Sequence, residues 1–339
     1  MKKILEQLTA GNDIGFEESE RAMHKILSGK ATPAQLGGFL AALKAKGETV
    51  DEIAGMIKAV RERSLATGIH SADLVDICGT GGDGGRTFNI STVASIVAAA
   101  AGVKIAKHIN RAVSSPCGSA DVLMALGIKV DCGPKSVVAS IEETGIGCMF
   151  GPIFNPTLTW TLGARRELGF MTAFDLLTPL VGPAGSGALV MGVHPTARLE
   201  LLTEALARLD TGRVVAFSSE DGLDELSLSA VNHLVEIDGV NMKKYDLTAE
   251  DVGLAAADIS EIRGSDADHN AVIINDILKG RTGACFDIAA FNAGAAIYAA
   301  GQAASIKEGV DAAVETIKSG KAKEKLGEWK AFSKRLGVK

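Results

Sequence analysis

From Ala72 onward, short apolar or β-branched runs alternate with helix-length segments, and this alternation narrows the fold more than any other feature of the chain. The runs are DLVDI, GVKIAK, GCMF, GALVMGV and RVVAFSS, and between them lie SADVLMALG, SVVASIEETG and PTARLELLTEALARL. Strands that read as continuous apolar runs, separated by crossover segments, form a mostly parallel sheet flanked by helices on both faces. Up to about Ser71 the period is instead close to 3.6, with no strand pattern. TPAQLGGFLAAL places Thr32 at an N-cap, Pro33 at the first helical position and Gln35 at the third, a capping box. TVDEIAGMIKAV repeats the device with Thr49 and Glu52, and Ile53, Met56, Ile57 and Val60 fall on one stripe. That stripe reads as the packing face of a small helical domain, with a partner or dimer face as the alternative. From about Asp268 the chain turns helical again. The expected class is α/β: a small all-helical N-terminal domain, then a larger α/β domain with a mostly parallel sheet.

Composition excludes several functions. A chain of 339 residues with 47% hydrophobic and 22% charged residues can bury a large core. The net charge of −6 and the scarcity of aromatics argue against a broad nucleic-acid footprint. The five cysteines form no CxxC and are odd in number, so neither a zinc site nor a disulfide framework is indicated. The start, MKKILEQLTAGN, lacks a signal-peptide pattern, and runs such as STVASIVAAAAGV are too short to span a bilayer. A cytoplasmic protein without membrane partners is the expectation.

Chemistry concentrates in three places. DICGTGGDGGRTFNIST puts Gly79, Gly81 and Gly82 directly behind a strand and Asn89, Ser91 and Thr92 at a helix start. Glycines allow a sharp turn and close ligand approach, and a helix N-terminus favours negative charge, so the corner suits phosphate or pyrophosphate. The alternative is a structural turn with a capped helix. KHINRAVSSPCGSAD gathers Lys107, His108, Asn110, Arg111, Ser114, Ser115 and Ser119 after the next strand. Sites in parallel sheets collect at the carboxyl ends of strands, so both segments can face one crevice. SEDGLDELS supplies Asp221, Asp224 and Glu225, hard oxygens suited to Mg²⁺ or, alternatively, acids at a helix start. In RRELGF, Arg165 or Arg166 could hold a carboxylate or lie on a helix surface.

GTGGD, NIST, KHINR, SSPCGSADVLMALG, RRELG and DGLDE, in this order, resemble the anthranilate phosphoribosyltransferase family, over nearly the whole chain. The resemblance implies a nucleoside-phosphorylase-like fold. Residues 1–71, with part of about 168–186 packing on them, would be the helical domain, and 72–339 the domain that binds phosphoribosyl pyrophosphate. It implies transfer of the phosphoribosyl group to anthranilate in tryptophan biosynthesis, with two Mg²⁺ ions and a homodimer formed through the helical domain. Donor-binding positions would be Gly79, Gly82, Asp83, Thr87, Asn89, Ser91, Thr92, Lys107 and Ser119. Metal ligands would be Ser91, Asp224 and Glu225, and acceptor contacts Gly79, His108, Asn110, Asn155, Arg165, Thr178 and Pro179. Catalysis would come from positioning and electrostatics, with no covalent catalytic residue. Four positions depart from the family pattern: Ile109 replaces a glycine, Asn155 a histidine, Asp175 an asparagine and Thr178 a glycine. They leave open a paralogue acting on another aromatic amine. A nucleoside phosphorylase of the same fold stays open as well, as does a non-catalytic relative that binds phosphoribosyl pyrophosphate or nucleic acid.

Overall fold

The computed structural model describes residues 1–66, 68–69, 73–81, 84, 87–112, 116–182, 185–209 and 211–336. Four helices come first: α1 (Lys2–Thr9), α2 (Phe16–Leu27), α3 (Pro33–Lys46) and α4 (Val50–Arg61). Both capping boxes form. Gln35 N donates to Thr32 Oγ1 at 3.2 Å, and Glu52 N to Thr49 Oγ1 at 3.3 Å, each answered by the reciprocal bond. The Glu52 carboxylate is fully buried, and it also accepts Ile14 N–H at 3.1 Å and the Lys46 ammonium at 3.0 Å. Burial of a charge is tolerable with such complete pairing. Gly55 lets α4 lie against the start of α2, since a Cβ there would stand 2.4 Å from the Phe16 carbonyl oxygen.

The rest of the chain builds around a sheet that has seven strands among the described residues. In order they are β1 (Leu74–Gly79), α5 (Ile90–Ala100), β2 (Lys104–Ile109), α6 (Ser119–Ala125), α7 (Pro134–Thr144) and β3 (Ile146–Phe150). Three short helices follow: α8 (Gly151–Phe154), α9 (Leu162–Leu168) and α10 (Ala173–Leu177). Then come β4 (Ala188–Gly192), α11 (Leu199–Arg208), β5 (Arg213–Ser219), β6 (Asn232–Asp238) and β7 (Asn241–Leu247). Helices α12 (Ala267–Leu278), α13 (Ala284–Ala299), α14 (Ile306–Lys318) and α15 (Lys321–Arg335) close the chain. The strand order is β3-β2-β1-β4-β5-β6-β7, parallel through β5 and antiparallel at β6 and β7. The sheet is thus mixed but mostly parallel. The terminal hairpin is absent from the sequence reading, although Asp238-Gly239, with Gly239 at φ +59°, is a strong turn signal.

Successive strand residues face opposite sides. Val75, Ile77, Ile105, Ile109, Val190 and Val215 join a core cluster with α5 and α13. Leu189, Met191, Val214 and Ala216 face the other way, into a cluster shared with α4, α11 and the buried side chains of α1–α3. Phe174, Leu177 and Leu180 belong to that second cluster, so the segment around α10 packs with the N-terminal helices. Among the described residues, no helix is long and apolar enough to cross a membrane.

Candidate active site

The strand order turns at β1: β2 and β3 lie to one side, β4 and β5 to the other. Open parallel sheets bind ligands at such a switch point, outside the carboxyl ends of the strands. Here those ends are Gly79 and Gly192, which pair in register. The loop after β5 lies on top of both. A Cβ on Gly79 would come within 2.1 Å of Asp224 Oδ2, and one on Gly192 within 1.7 Å of the Asp224 carbonyl oxygen. Gly192 leaves no room for a side chain against that backbone, and one at Gly79 would push the Asp224 carboxylate aside. Asp224 Oδ2 in turn accepts Gly81 N–H at 2.7 Å, so the carboxylate is fastened to the glycine corner itself.

Alternation along β2 then separates two functions. Lys107 shares the face of Ile105 and Ile109, toward α5, whereas His108 points to the opposite face. Lys107 is 1% exposed; its ammonium donates to the Ile77 carbonyl at 2.6 Å and to Ser91 Oγ at 3.2 Å. Ser91 N donates to Glu225 Oε1 at 3.1 Å, bringing the acidic loop onto the start of α5. Asn89 is held by Asn270, whose amide donates to Asn89 Oδ1 at 3.0 Å, and by its own amide bond to the Cys117 carbonyl at 3.3 Å. Thr87 pairs with Arg263 in an isolated bridge. The Thr92 hydroxyl is buried and finds no protein partner among the described residues. Ser119 Oγ accepts Asn110 N–H at 3.2 Å and donates to the Asn110 carbonyl at 3.3 Å, tying α6 to the end of β2. Gly82, Asp83, Ser114 and Ser115 lie outside the described residues.

The other face carries a second group. His108 hydrogen-bonds the Thr178 backbone, and Cys78 Sγ donates to the Pro179 carbonyl at 3.4 Å, so the turn Thr178–Leu180 sits under β1 and β2. Asn110 packs on Gly151, where a Cβ would stand 2.2 Å from Asn110 Oδ1. Asn155 is buried four residues on, its Oδ1 accepting the Ser64 hydroxyl. Asn155 Nδ2 and His108 Nε2 have no protein partner among the described residues. Buried polar atoms in native sites are usually satisfied, so each of these atoms suits water or the polar group of a ligand. Ile109 lines no opening: at 1% exposure it packs in the α5-side core, away from His108. Arg165 sits on α9 with its guanidinium 2.6 Å from Asp175 Oδ1, while Arg166 is exposed.

Burial dominates the electrostatics here. It drives the Asp76 carboxyl up to about 6, against the lowering influence of the His108 N–H bond and Lys107. Asp76 Oδ2 has no protein partner among the described residues and borders a cavity of about 500 Å³, shared with Arg61, Leu180 and Thr211. The same burial lowers Lys107 and takes His108 from its ordinary 6.5 down to about 4. The Asp76 and His108 shifts have opposite consequences. Asp76 holds its proton longer when folded, so its stabilisation is complete below about pH 4 and lost as pH rises through about 6. His108 stays neutral when folded, so its contribution is present above about pH 6.5 and lost as pH falls through about 4. In wild type the two offset each other. In Asp76→Asn the His108 effect stands alone, on the order of 3 kcal/mol across that window. We expect the melting temperature of Asp76→Asn to fall more steeply than wild type between pH 6.5 and 4.5. Parallel melting curves against pH would contradict this.

Hard oxygen donors for a divalent cation are present. Asp224, Glu225 and the Ser91 hydroxyl converge at the glycine corner, a donor set suited to Mg²⁺. Asp221 serves the loop instead: its Oδ2 accepts the Ser227 and Ser229 hydroxyls, both at 2.5 Å. Among the described residues a three-ligand cluster occurs elsewhere, at Glu20, His24 and Glu62. It is an ion-pair group: Lys58 lies 2.9 Å from Glu20, and Arg63 Nε donates to His24 Nδ1.

Fold and site together define a two-part glycosyltransferase, an enzyme of the phosphoribosyltransferase class. The description "Glycosyl transferase family, helical bundle domain" matches residues 2–64, and "Glycosyl transferase family, a/b domain" matches residues 71–323. The anthranilate phosphoribosyltransferase of Brevibacillus brevis is 44% identical over 322 residues, 95% of this chain and 94% of the relative. The crystal structure of anthranilate phosphoribosyltransferase from Thermus thermophilus superposes with a TM-score of 0.92 at 41% identity, covering 98% of this chain and 99% of that one. The Saccharomyces cerevisiae enzyme, solved in complex with PRPP and Mg, shares the fold at 24% identity, covering 99% of this chain and 98% of that one, with a TM-score of 0.91. The chain belongs to the anthranilate phosphoribosyltransferase family.

Proposed function

We propose that this chain transfers the 5-phosphoribosyl group of phosphoribosyl pyrophosphate to the amino nitrogen of anthranilate, releasing pyrophosphate, in tryptophan biosynthesis. The observation that carries the reading is the convergence of the glycine corner, Lys107 and the Asp224–Glu225 loop at the switch point of the sheet. Residues 1–71, with part of about 168–186 packing on them, form its helical domain and residues 72–339 its α/β domain. The homodimer through the helical domain belongs to the same reading.

On the donor face, Gly79, Asn89, Ser91 and Thr92 line the diphosphate at the start of α5, with Thr87 and Ser119 beside them, and the Thr92 hydroxyl, which has no protein partner among the described residues, is left to donate to it. Gly82 and Asp83 are assigned to the same lobe. Lys107 supplies a cation without a hydration shell to lose, since its ammonium is already buried. Asp224, Glu225 and Ser91 would hold Mg²⁺, two ions in this reading, which when bound neutralises the diphosphate as it departs. On the acceptor face, Asn110, Asn155, His108, Thr178 and Pro179 orient the aromatic amine, and Arg165 meets its carboxylate. The amine lone pair forms the new bond to ribose C1 as the C1–O bond to pyrophosphate breaks, and the nitrogen then loses a proton to solvent. An aromatic amine is neutral at pH 7, so no strong side-chain base is needed. Acceleration comes from holding the two reactants together and from prearranged charge at the leaving group.

The test is an assay of pyrophosphate release with phosphoribosyl pyrophosphate, Mg²⁺ and a panel of anthranilate, 3- and 4-aminobenzoate and aniline. Release that requires both Mg²⁺ and anthranilate supports the reading. Nucleoside cleavage driven by inorganic phosphate would instead indicate a phosphorylase.

A further inference from the structure

The least expected contact in the molecule is inside the acceptor group. Arg165, the cation assigned to the acceptor's carboxylate, already holds a carboxylate of its own chain. Its Nη2 donates to Asp175 Oδ1 at 2.6 Å, and its guanidinium lies 5.7 Å from the centre of the Phe174 ring. Asp175 is fixed in place by more than this pair. Its second oxygen accepts Thr172 N–H at 2.7 Å and the Thr172 hydroxyl at 3.0 Å, at the start of α10. Helix α10 runs directly into the Thr178–Leu180 turn beneath His108 and Cys78. The pair is therefore built into the frame of the acceptor group, and both side chains are only partly exposed, at 18% and 24%.

We propose that Asp175 is a specificity-determining residue of the acceptor site, setting how strongly Arg165 can attract an acceptor's carboxylate. The proposal rests on the assignment of Arg165 to the acceptor. A guanidinium spent on one carboxylate offers a second one fewer donors and little net charge. The second carboxylate also meets the first, and like charges brought together in a partly desolvated site repel. Asp175 thus lowers the preference for carboxylate-bearing acceptors and leaves neutral ones little affected. Asparagine at this position keeps an oxygen for Thr172 but removes the charge, so the cap survives while Arg165 is released.

The test compares wild type, Asp175→Asn, Arg165→Ala and the double variant. The readouts are the KM for anthranilate, the inhibition constant of its uncharged isostere 2-aminobenzamide, and the melting temperature. Asp175→Asn should lower the anthranilate KM relative to the 2-aminobenzamide constant by about tenfold, the size of one charge-assisted hydrogen bond. Arg165→Ala should raise the anthranilate KM, and in that background the Asp175→Asn gain should vanish. A rise in KM for Arg165→Ala without a fall for Asp175→Asn would overturn the proposal and leave the assignment of Arg165 standing. No change in Arg165→Ala would overturn both. A parallel loss for both small molecules with a lower melting temperature would make Asp175 merely a helix cap, and would also reject the proposal.

Discussion

Replacing Asp224 or Glu225 with alanine should lower turnover by about a hundredfold to a thousandfold, the range typical of losing a group that stabilises transition-state charge. Backbone N–H groups help to place both carboxylates. Asp224 rests on Gly79 and Gly192 and accepts Gly81 N–H, while Glu225 accepts Ser91 N–H. Their removal takes away hard oxygen charge at the point where pyrophosphate must leave, and the core beneath is untouched. If Lys107 and the helix start hold the donor as proposed, the loss should appear mainly in kcat. Asp224→Asn and Glu225→Gln serve as shape-conserving controls and should lose nearly as much. The check is kcat across a Mg²⁺ titration; wild-type turnover in the double alanine variant at limiting Mg²⁺ would reject the two residues as cation ligands.

Lys107→Met should behave in the opposite way, weakening donor affinity by about a hundredfold while altering acceptor KM little. The estimate follows from removing one partner of a buried, charge-assisted contact, which costs roughly 2–5 kcal/mol. Methionine fills the space of the aliphatic stem, so β2 should stay packed. Asp76 then loses a nearby cation, but its carboxyl already titrates near 6 and can take up a proton instead. Calorimetric titration of phosphoribosyl pyrophosphate with Mg²⁺ decides the matter. Unchanged affinity would mean that Lys107 is a structural lysine bound to the Ile77 carbonyl, outside donor recognition.

What the residues reveal on their own divides along physical lines. Thr32–Gln35 and Thr49–Glu52 are legible because a capping box is a local pattern, complete within four residues. The glycine corner is legible for a similar reason: so many glycines behind an apolar run have few structural uses. The opposed directions of Lys107 and His108 follow from strand alternation, so the strand bounds alone suffice to infer them. Other features depend on contacts the sequence does not order. Asn270 reaches Asn89 across 181 positions. The buried role of Glu52 depends on the approach of Ile14 and Lys46. Arg165 reads as an available cation because nothing in RRELGF reveals that Asp175, ten residues on, will take it. The β6–β7 hairpin escapes the sequence pattern because its lysine- and asparagine-bearing second strand, β7, lacks the apolar signature of its neighbours.

The most direct test of the proposed transfer is to follow the bond itself. Phosphoribosyl pyrophosphate labelled with ¹³C at ribose C1 is mixed with ¹⁵N-anthranilate, Mg²⁺ and the protein, and the product is examined by NMR. Transfer to the amine predicts a one-bond coupling between the labelled carbon and nitrogen, growing in step with one equivalent of pyrophosphate. Pyrophosphate released as the label appears in free ribose 5-phosphate, with ¹⁵N-anthranilate unchanged, would contradict it.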